Sequence, residues 1–182
     1  AKKLLQEAGV TIPYPIKITY DGGTPTSANA FAALKETYDQ AGFKVTLDPL
    51  TDTYYDVIQN PANNTSDLYW GGWGADWPSI STVIPPLFDS RINLSEKSNG
   101  QDYGNYKSDA VNTALDAAAA LGDLTAQADA YAKIDEQLGK DVAYIPLDVT
   151  KFYFLRGSKV TGYANTPASN QYPELGTIGV SK

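Results

Sequence analysis

Between Ile16 and Asp48 the spacing of apolar residues changes twice. Ile16-Lys17-Ile18-Thr19-Tyr20 alternates apolar and polar, the period of a strand. Asp21-Gly22-Gly23-Thr24-Pro25 breaks that strand. Phe31, Leu34, Tyr38 and Ala41 then recur at spacings of three and four, the period of an amphipathic helix that Ser27 can cap and Gly42 can end. Lys44-Val45-Thr46-Leu47-Asp48 returns to the strand period. A strand, a helix and a strand in so short a span suit a parallel crossover, because a second strand can run in the same direction only after a helix-sized link. The unit predicts an α/β fold with a mixed, mostly parallel sheet flanked by helices.

The remaining pattern extends this reading. Ala1, Leu4, Leu5 and Ala8 form a helical stripe stopped by Gly9, so the chain opens as if within a helix and reads as a piece of a longer protein. A short helix is expected over Asp52–Asn60, a third strand over Asp67–Trp73, and irregular chain over 85–107. Val111, Leu115 and Ala118 mark one further helix. Tyr131, Ile134 and Leu138 mark another, which Asp123 can cap. Strands are expected at Val142–Val149, Phe152–Leu155 and Val160–Tyr163. No repeat or low-complexity linker divides the chain, so residues 1–182 read as one unit. At this length a chain buries roughly 70% of its unfolded surface and needs no staples.

Composition removes several functions. With 21 acidic against 14 basic residues the net charge is −7, and no Lys/Arg stripe offers a nucleic-acid footprint. Cysteine and histidine are both absent. That excludes Cys/His zinc sites, thiol nucleophiles and Ser-His or Cys-His catalytic pairs. No metal site and no cofactor are expected. No apolar run reaches the roughly 18 residues of a membrane span.

The chemistry concentrates in Asp67-Leu68-Tyr69-Trp70-Gly71-Gly72-Trp73-Gly74-Ala75-Asp76-Trp77-Pro78-Ser79, which holds all three tryptophans. Interleaved glycines oppose a helix, each costing about 1 kcal/mol relative to alanine. A strand entering a turn fits better, with Trp70 and Trp73 on opposite faces, one toward a core and one toward a cleft. An exposed indole is a rigid apolar wall for a ligand. Asp76 admits two readings. It can cap a helix that Pro78 begins, or it can be a carboxylate near the carboxyl end of a strand, where open α/β sheets place ligands and where indoles strengthen its pull on a cation. A hydrolytic pair of Asp76 with Asp89 or Asp67 is the enzymatic alternative. Tyr54, Tyr55, Tyr103 and Tyr106 fit core packing or the rim of a cleft.

These residues, in order, resemble the C-terminal part of family-five extracellular solute-binding proteins of ABC importers, the oligopeptide- and dipeptide-binding group. The resemblance begins with the opening helix Ala1–Gly9, continues through Ala41-Gly42-Phe43 and Val45-Thr46-Leu47, and reaches the run Gly72-Trp73-Gly74-Ala75-Asp76-Trp77-Pro78. Asn105-Tyr106 with Asp109, then Ile145-Pro146-Leu147 and Val160-Thr161-Gly162, complete it. Gly-Ala-Asp-Trp-Pro-Ser with Val83–Phe88 is most similar to actinobacterial members. One departure is Ser79-Ile80, where many members carry Asp-Pro.

The resemblance implies a type II periplasmic-binding-protein lobe. Residues 1–182 would be a single C-terminal lobe whose partner lobe lies outside this chain. It implies an extracytoplasmic, non-enzymatic protein, a cell-surface lipoprotein or periplasmic, that captures peptides or similar solutes by hinge closure and delivers them to membrane permease subunits. A monomer is the family expectation. Asp76 would pair with the ligand's α-amino group and Trp73 would line the cleft, with Trp77 and Trp70 as further ligand-binding candidates. The alternative is a secreted carbohydrate-active enzyme or oligosaccharide-binding module.

Overall fold

A computed structural model describes residues 1–63, 65–147, 151, 153–166 and 172–182. They form two compact units, 1–72 with 90–106 and 73–89 with 107–182. The chain passes between them at 72–73, 89–90 and 106–107. Neither unit is one continuous stretch, which is why composition marks no boundary.

The first unit is built on the predicted crossover. Strand β1 (Tyr14–Asp21), helix α2 (Pro25–Ala41) and strand β2 (Phe43–Leu50) follow a short helix α1 (Lys2–Glu7). β1 and β2 are parallel, in register from Tyr14 opposite Phe43 to Asp21 opposite Leu50. Strand β3 (Leu68–Tyr69) joins the other side of β1, so the order is β2-β1-β3 and every pairing is parallel. β1 is therefore central, and Ile18, Thr19 and Tyr20 are all buried, as expected for a strand covered on both faces. Ile18, Tyr20, Phe31 and Val45 form the core, with Leu34, Tyr38, Leu68 and Trp70 packed against it. The rings of Tyr20 and Phe31 stack at 4.1 Å and fix α2 on the sheet.

Thr24, not Ser27, caps α2: its side chain accepts the N–H of Ser27 at 3.1 Å, because Pro25 and Thr26 extend the helix forward and Pro suits its first turn. Gly42 ends it at φ +106°, a conformation that a side chain would strain. Helix α1 forms where its stripe predicts; Leu4 is exposed, while Leu5 is half-buried beside Gly42. A further expectation is corrected: the third strand stops early. Trp70 N–H still bonds to Thr19 C=O at 3.1 Å, but the glycines beyond it carry no side chains to pack and the chain leaves the ladder.

The first unit also contains helix α3 (Tyr54–Ile58) and, in its second segment, helix α5 (Ser90–Asn93). The second unit holds a 3-10 turn (Ile80–Thr82), helix α4 (Ile84–Phe88), and helices α6 (Asp109–Ala119) and α7 (Leu124–Lys140), which pack together. Val111, Leu115 and Ala118 of α6 and Tyr131, Ile134 and Leu138 of α7 are buried, the faces their spacing predicts. Ser108 and Asp123 cap them. Strands β4 (Val160–Thr161) and β5 (Gly179–Val180) pair antiparallel. Short helices thus break the irregular chain expected over 85–107. The strands expected at Val142–Val149 and Phe152–Leu155 do not form at 142–147 or 153–155, and 148–149 and 152 lie outside the described residues. An alternating run becomes a strand only beside a neighbour that takes its backbone hydrogen bonds.

Candidate functional site

In the second unit, Thr82 organises the Trp73–Ser79 loop. Its side chain is buried, and its Oγ1 accepts the backbone N–H of Asp76 at 3.2 Å while donating to Ser79 C=O at 2.9 Å. Its own carbonyl accepts the indole N–H of Trp73 at 2.7 Å. One threonine therefore holds the indole and the Asp76 backbone together, and spends its hydroxyl as donor and acceptor at once. No sequence signal marked Thr82, because its partners are mostly backbone groups. Ser79 resolves the departure at Ser79-Ile80: its Oγ accepts the N–H of Ser81 at 3.3 Å and caps the 3-10 turn.

With Ser79 as cap, Asp76 is free of that duty. It is exposed, and its carboxylate takes no hydrogen bond or ion pair from any described residue. Trp73 is 40% and Trp77 58% exposed, unusually open for indoles. The structure thus places Trp73, Asp76 and Trp77 on one clamped loop. Trp70 belongs to the other unit, where it packs against the core. The acids considered as hydrolytic partners have structural roles or burial of their own. Asp67 accepts the N–H of Lys17 at 2.7 Å, and Asp89 is buried.

Sequence reasoning missed a site in the first unit. An open cavity of about 370 Å³ lies where the chain leaves β1 and β2, lined by Asp21, Thr24, Thr51, Asp52, Tyr54, Tyr55 and Asp56. Open α/β sheets bind ligands outside the carboxyl ends of their strands, and this cavity lies at that end of β1 and β2. The signal was present as Asp21-Gly22-Gly23-Thr24 and Thr51-Asp52-Thr53-Tyr54-Tyr55-Asp56, two polar loops after adjacent strands. It is legible only once those strands are known to be neighbours.

Aromatic side chains build the wall of this site. Tyr54 is buried, and its phenol donates to the carbonyls of Trp70 and, at 3.3 Å, Thr19. Its ring meets Trp70 at 6.2 Å and Tyr55 at 5.2 Å, and Tyr55 meets Tyr103 at 6.0 Å. A Cβ on Gly71 would lie 3.3 Å from the Tyr103 ring, so the glycine admits the ring. Burial, then the charge of Asp21, pushes the Tyr55 phenol pKa up.

Tyr103 sits on a turn built around Asp102, which is 3% exposed. Its carboxylate accepts backbone N–H groups of Tyr106, Gly104 and Asn105, yet its Oδ2 has no partner. Burial outweighs those donors and pushes its pKa up to about 6. Asn99 anchors the turn: its N–H donates to Gln59 C=O at 2.8 Å and its side-chain amide to Ile58 C=O at 3.2 Å.

Residues 1–95 match the family described as bacterial extracellular solute-binding proteins, family 5 middle. The chain is similar to the periplasmic oligopeptide-binding protein OppA of Salmonella typhimurium, 28% identical over 149 residues, covering 81% of this chain and 26% of that protein. Its fold is similar to that of clavulanic acid biosynthesis oligopeptide binding protein 2, with TM-score 0.87 at 20% identity, covering all of this chain and 33% of that one. It is also similar to the ABC transporter-associated periplasmic binding protein DppA from Helicobacter pylori in complex with the peptide STSA. There the TM-score is 0.75 at 22% identity, over 100% of this chain and 34% of that one. The chain thus spans about a quarter to a third of the length of these proteins.

Proposed function

The chain belongs to the bacterial extracellular solute-binding proteins of family 5, and from that premise we propose that it is the C-terminal lobe of the substrate-binding component of an ABC importer, capturing peptides and not hydrolysing them. The observation that carries the reading is the exposed Asp76 carboxylate between the exposed indoles of Trp73 and Trp77, on a loop clamped by Thr82. An acid that spends no hydrogen bond on any described residue is available to a ligand. When a second lobe closes over it and removes water, its attraction for an α-ammonium rises steeply. The solute is held between the lobes, and the closed form is what the permease subunits engage. Trp73 and Trp77 supply the apolar wall; Trp70 packs on the core of its own unit.

A partner lobe outside this chain would also cover the apolar side chains of Ile145, Leu147, Phe154 and Leu155, which are exposed here. Lipid anchoring or a periplasmic location, and a monomeric state, complete the reading. The test is native mass spectrometry of the full-length protein that contains this chain, purified without denaturation. Co-purified peptides support the assignment; a bound solute without an amine removes the role given to Asp76.

A further inference from the structure

If peptide capture is the function, the cavity between the carboxyl ends of β1 and β2 limits which peptides are captured. We propose that it is a subsite for a cationic side chain of the solute, a lysine ammonium or an arginine guanidinium. This deepens the reading above and rests on it.

Three independent features converge there. The first is the position, at the carboxyl ends of β1 and β2, the end of an open α/β sheet at which ligands bind. The second is the lining. Asp21, Asp52 and Asp56 contribute carboxylates, and no lysine or arginine lines the cavity. An anionic group or peptide carboxylate would meet three like charges there, whereas a cation meets three opposite ones. The third is the aromatic wall. Tyr55 is 41% exposed and lines the cavity, backed by Tyr54 and Tyr103. A phenol face attracts a cation through its quadrupole, and its apolar body covers the methylene stem of a long basic side chain. The volume of about 370 Å³ falls within the range of small-ligand sites, roughly 300–1,000 Å³.

The arrangement is held ready before any ligand arrives. Asp21 Oδ1 accepts the N–H of Gly23 at 2.9 Å, which fixes the first loop. The Tyr54 phenol is tied to the sheet, so α3, which carries Tyr55 and Asp56, cannot drift from the strand ends. Asp52 and Asp56 are exposed and carry the recognition without a structural duty of their own among the described hydrogen bonds.

The experiment is calorimetric titration of the full-length protein with alanine-based tetrapeptides, in which lysine or its uncharged isostere norleucine occupies each position in turn. At one position lysine should bind about tenfold tighter than norleucine, the sum of a few exposed ion pairs and one cation–π contact. In the Asp52→Asn/Asp56→Asn double variant that ratio should fall toward one. Equal affinity for lysine and norleucine at every position overturns the cationic subsite and leaves peptide capture standing. A preference that survives in the double variant overturns its placement in this cavity. Failure of every peptide to bind overturns the proposed function and this inference together.

Discussion

The phenol of Tyr54 donates a hydrogen bond to the backbone carbonyl of Trp70. This one contact ties the helix after β2 to the chain leaving β3, across the end of β1, whose Thr19 carbonyl lies 3.3 Å from the same oxygen. Trp70 therefore has two duties in its unit: its ring packs on the core, and its carbonyl receives the aromatic wall.

Tyr54→Phe should keep the ring and lose the bond. The buried carbonyl left behind costs about 1–2 kcal/mol. Urea unfolding should show a lower midpoint with an unchanged slope. An unchanged midpoint would mean that water replaces the phenol without loss.

Asp76→Ala in the full-length protein should weaken peptide affinity by about thirtyfold or more, the cost of leaving a ligand ammonium unpaired in a closed site. The melting temperature should move little, because the Asp76 carboxylate holds nothing among the described residues. The exposed side chain gives the variant no cavity and no orphaned partner. Affinity equal to the wild type would remove Asp76 from the site.

Asp102 predicts an acid-side gain in stability. Its folded pKa of about 6 lies above the ordinary aspartate value of 3.8. Below the lower value both states are protonated and there is no penalty. As pH rises between the two, the unfolded chain releases its proton while the folded chain retains it, so stability falls, and above the upper value the loss is complete at about 3 kcal/mol. Asp39 and Asp48 have lowered pKa values, through Lys35 and Lys17 respectively. Their contributions fade only below the ordinary carboxylate range. Wild type should thus gain stability from pH 7.5 to pH 5, and Asp102→Asn should flatten that window. Unfolding midpoints across pH for both proteins check the difference; parallel profiles would refute it.

Gly42→Ala tests the join between α2 and β2. The residue holds φ +106°, and a Cβ there would approach Lys2 Cγ at 3.0 Å and Leu5 Cδ1 at 3.3 Å. Both side chains are flexible, so the backbone strain dominates, and the variant should lose about 1 kcal/mol or more. Chemical denaturation reads this directly, and a stabilised variant would contradict the left-handed cap.

What residues alone determined is the local part. Period changes over residues 16–48, the stops at Asp21-Gly22-Gly23 and Gly42, and the capped helices around Val111–Ala118 and Tyr131–Leu138 all appear where spacing predicts them. Those features depend on neighbours within one or two turns, so they can be read in a line of letters. The run from Gly72 to Pro78 left Asp76 open between a helix cap and a carboxylate facing a ligand. Tertiary structure alone decided the rest. It chose which loops lie side by side, and so brought Asp21 to Asp52 and Asp56 around one cavity. It gave Thr82 the loop of Asp76 to hold. It buried Asp102 with an unpaired oxygen. Strand order and burial depend on contacts between residues far apart in the chain, and their free energy is paid against loop closure over the whole fold, which no local period records.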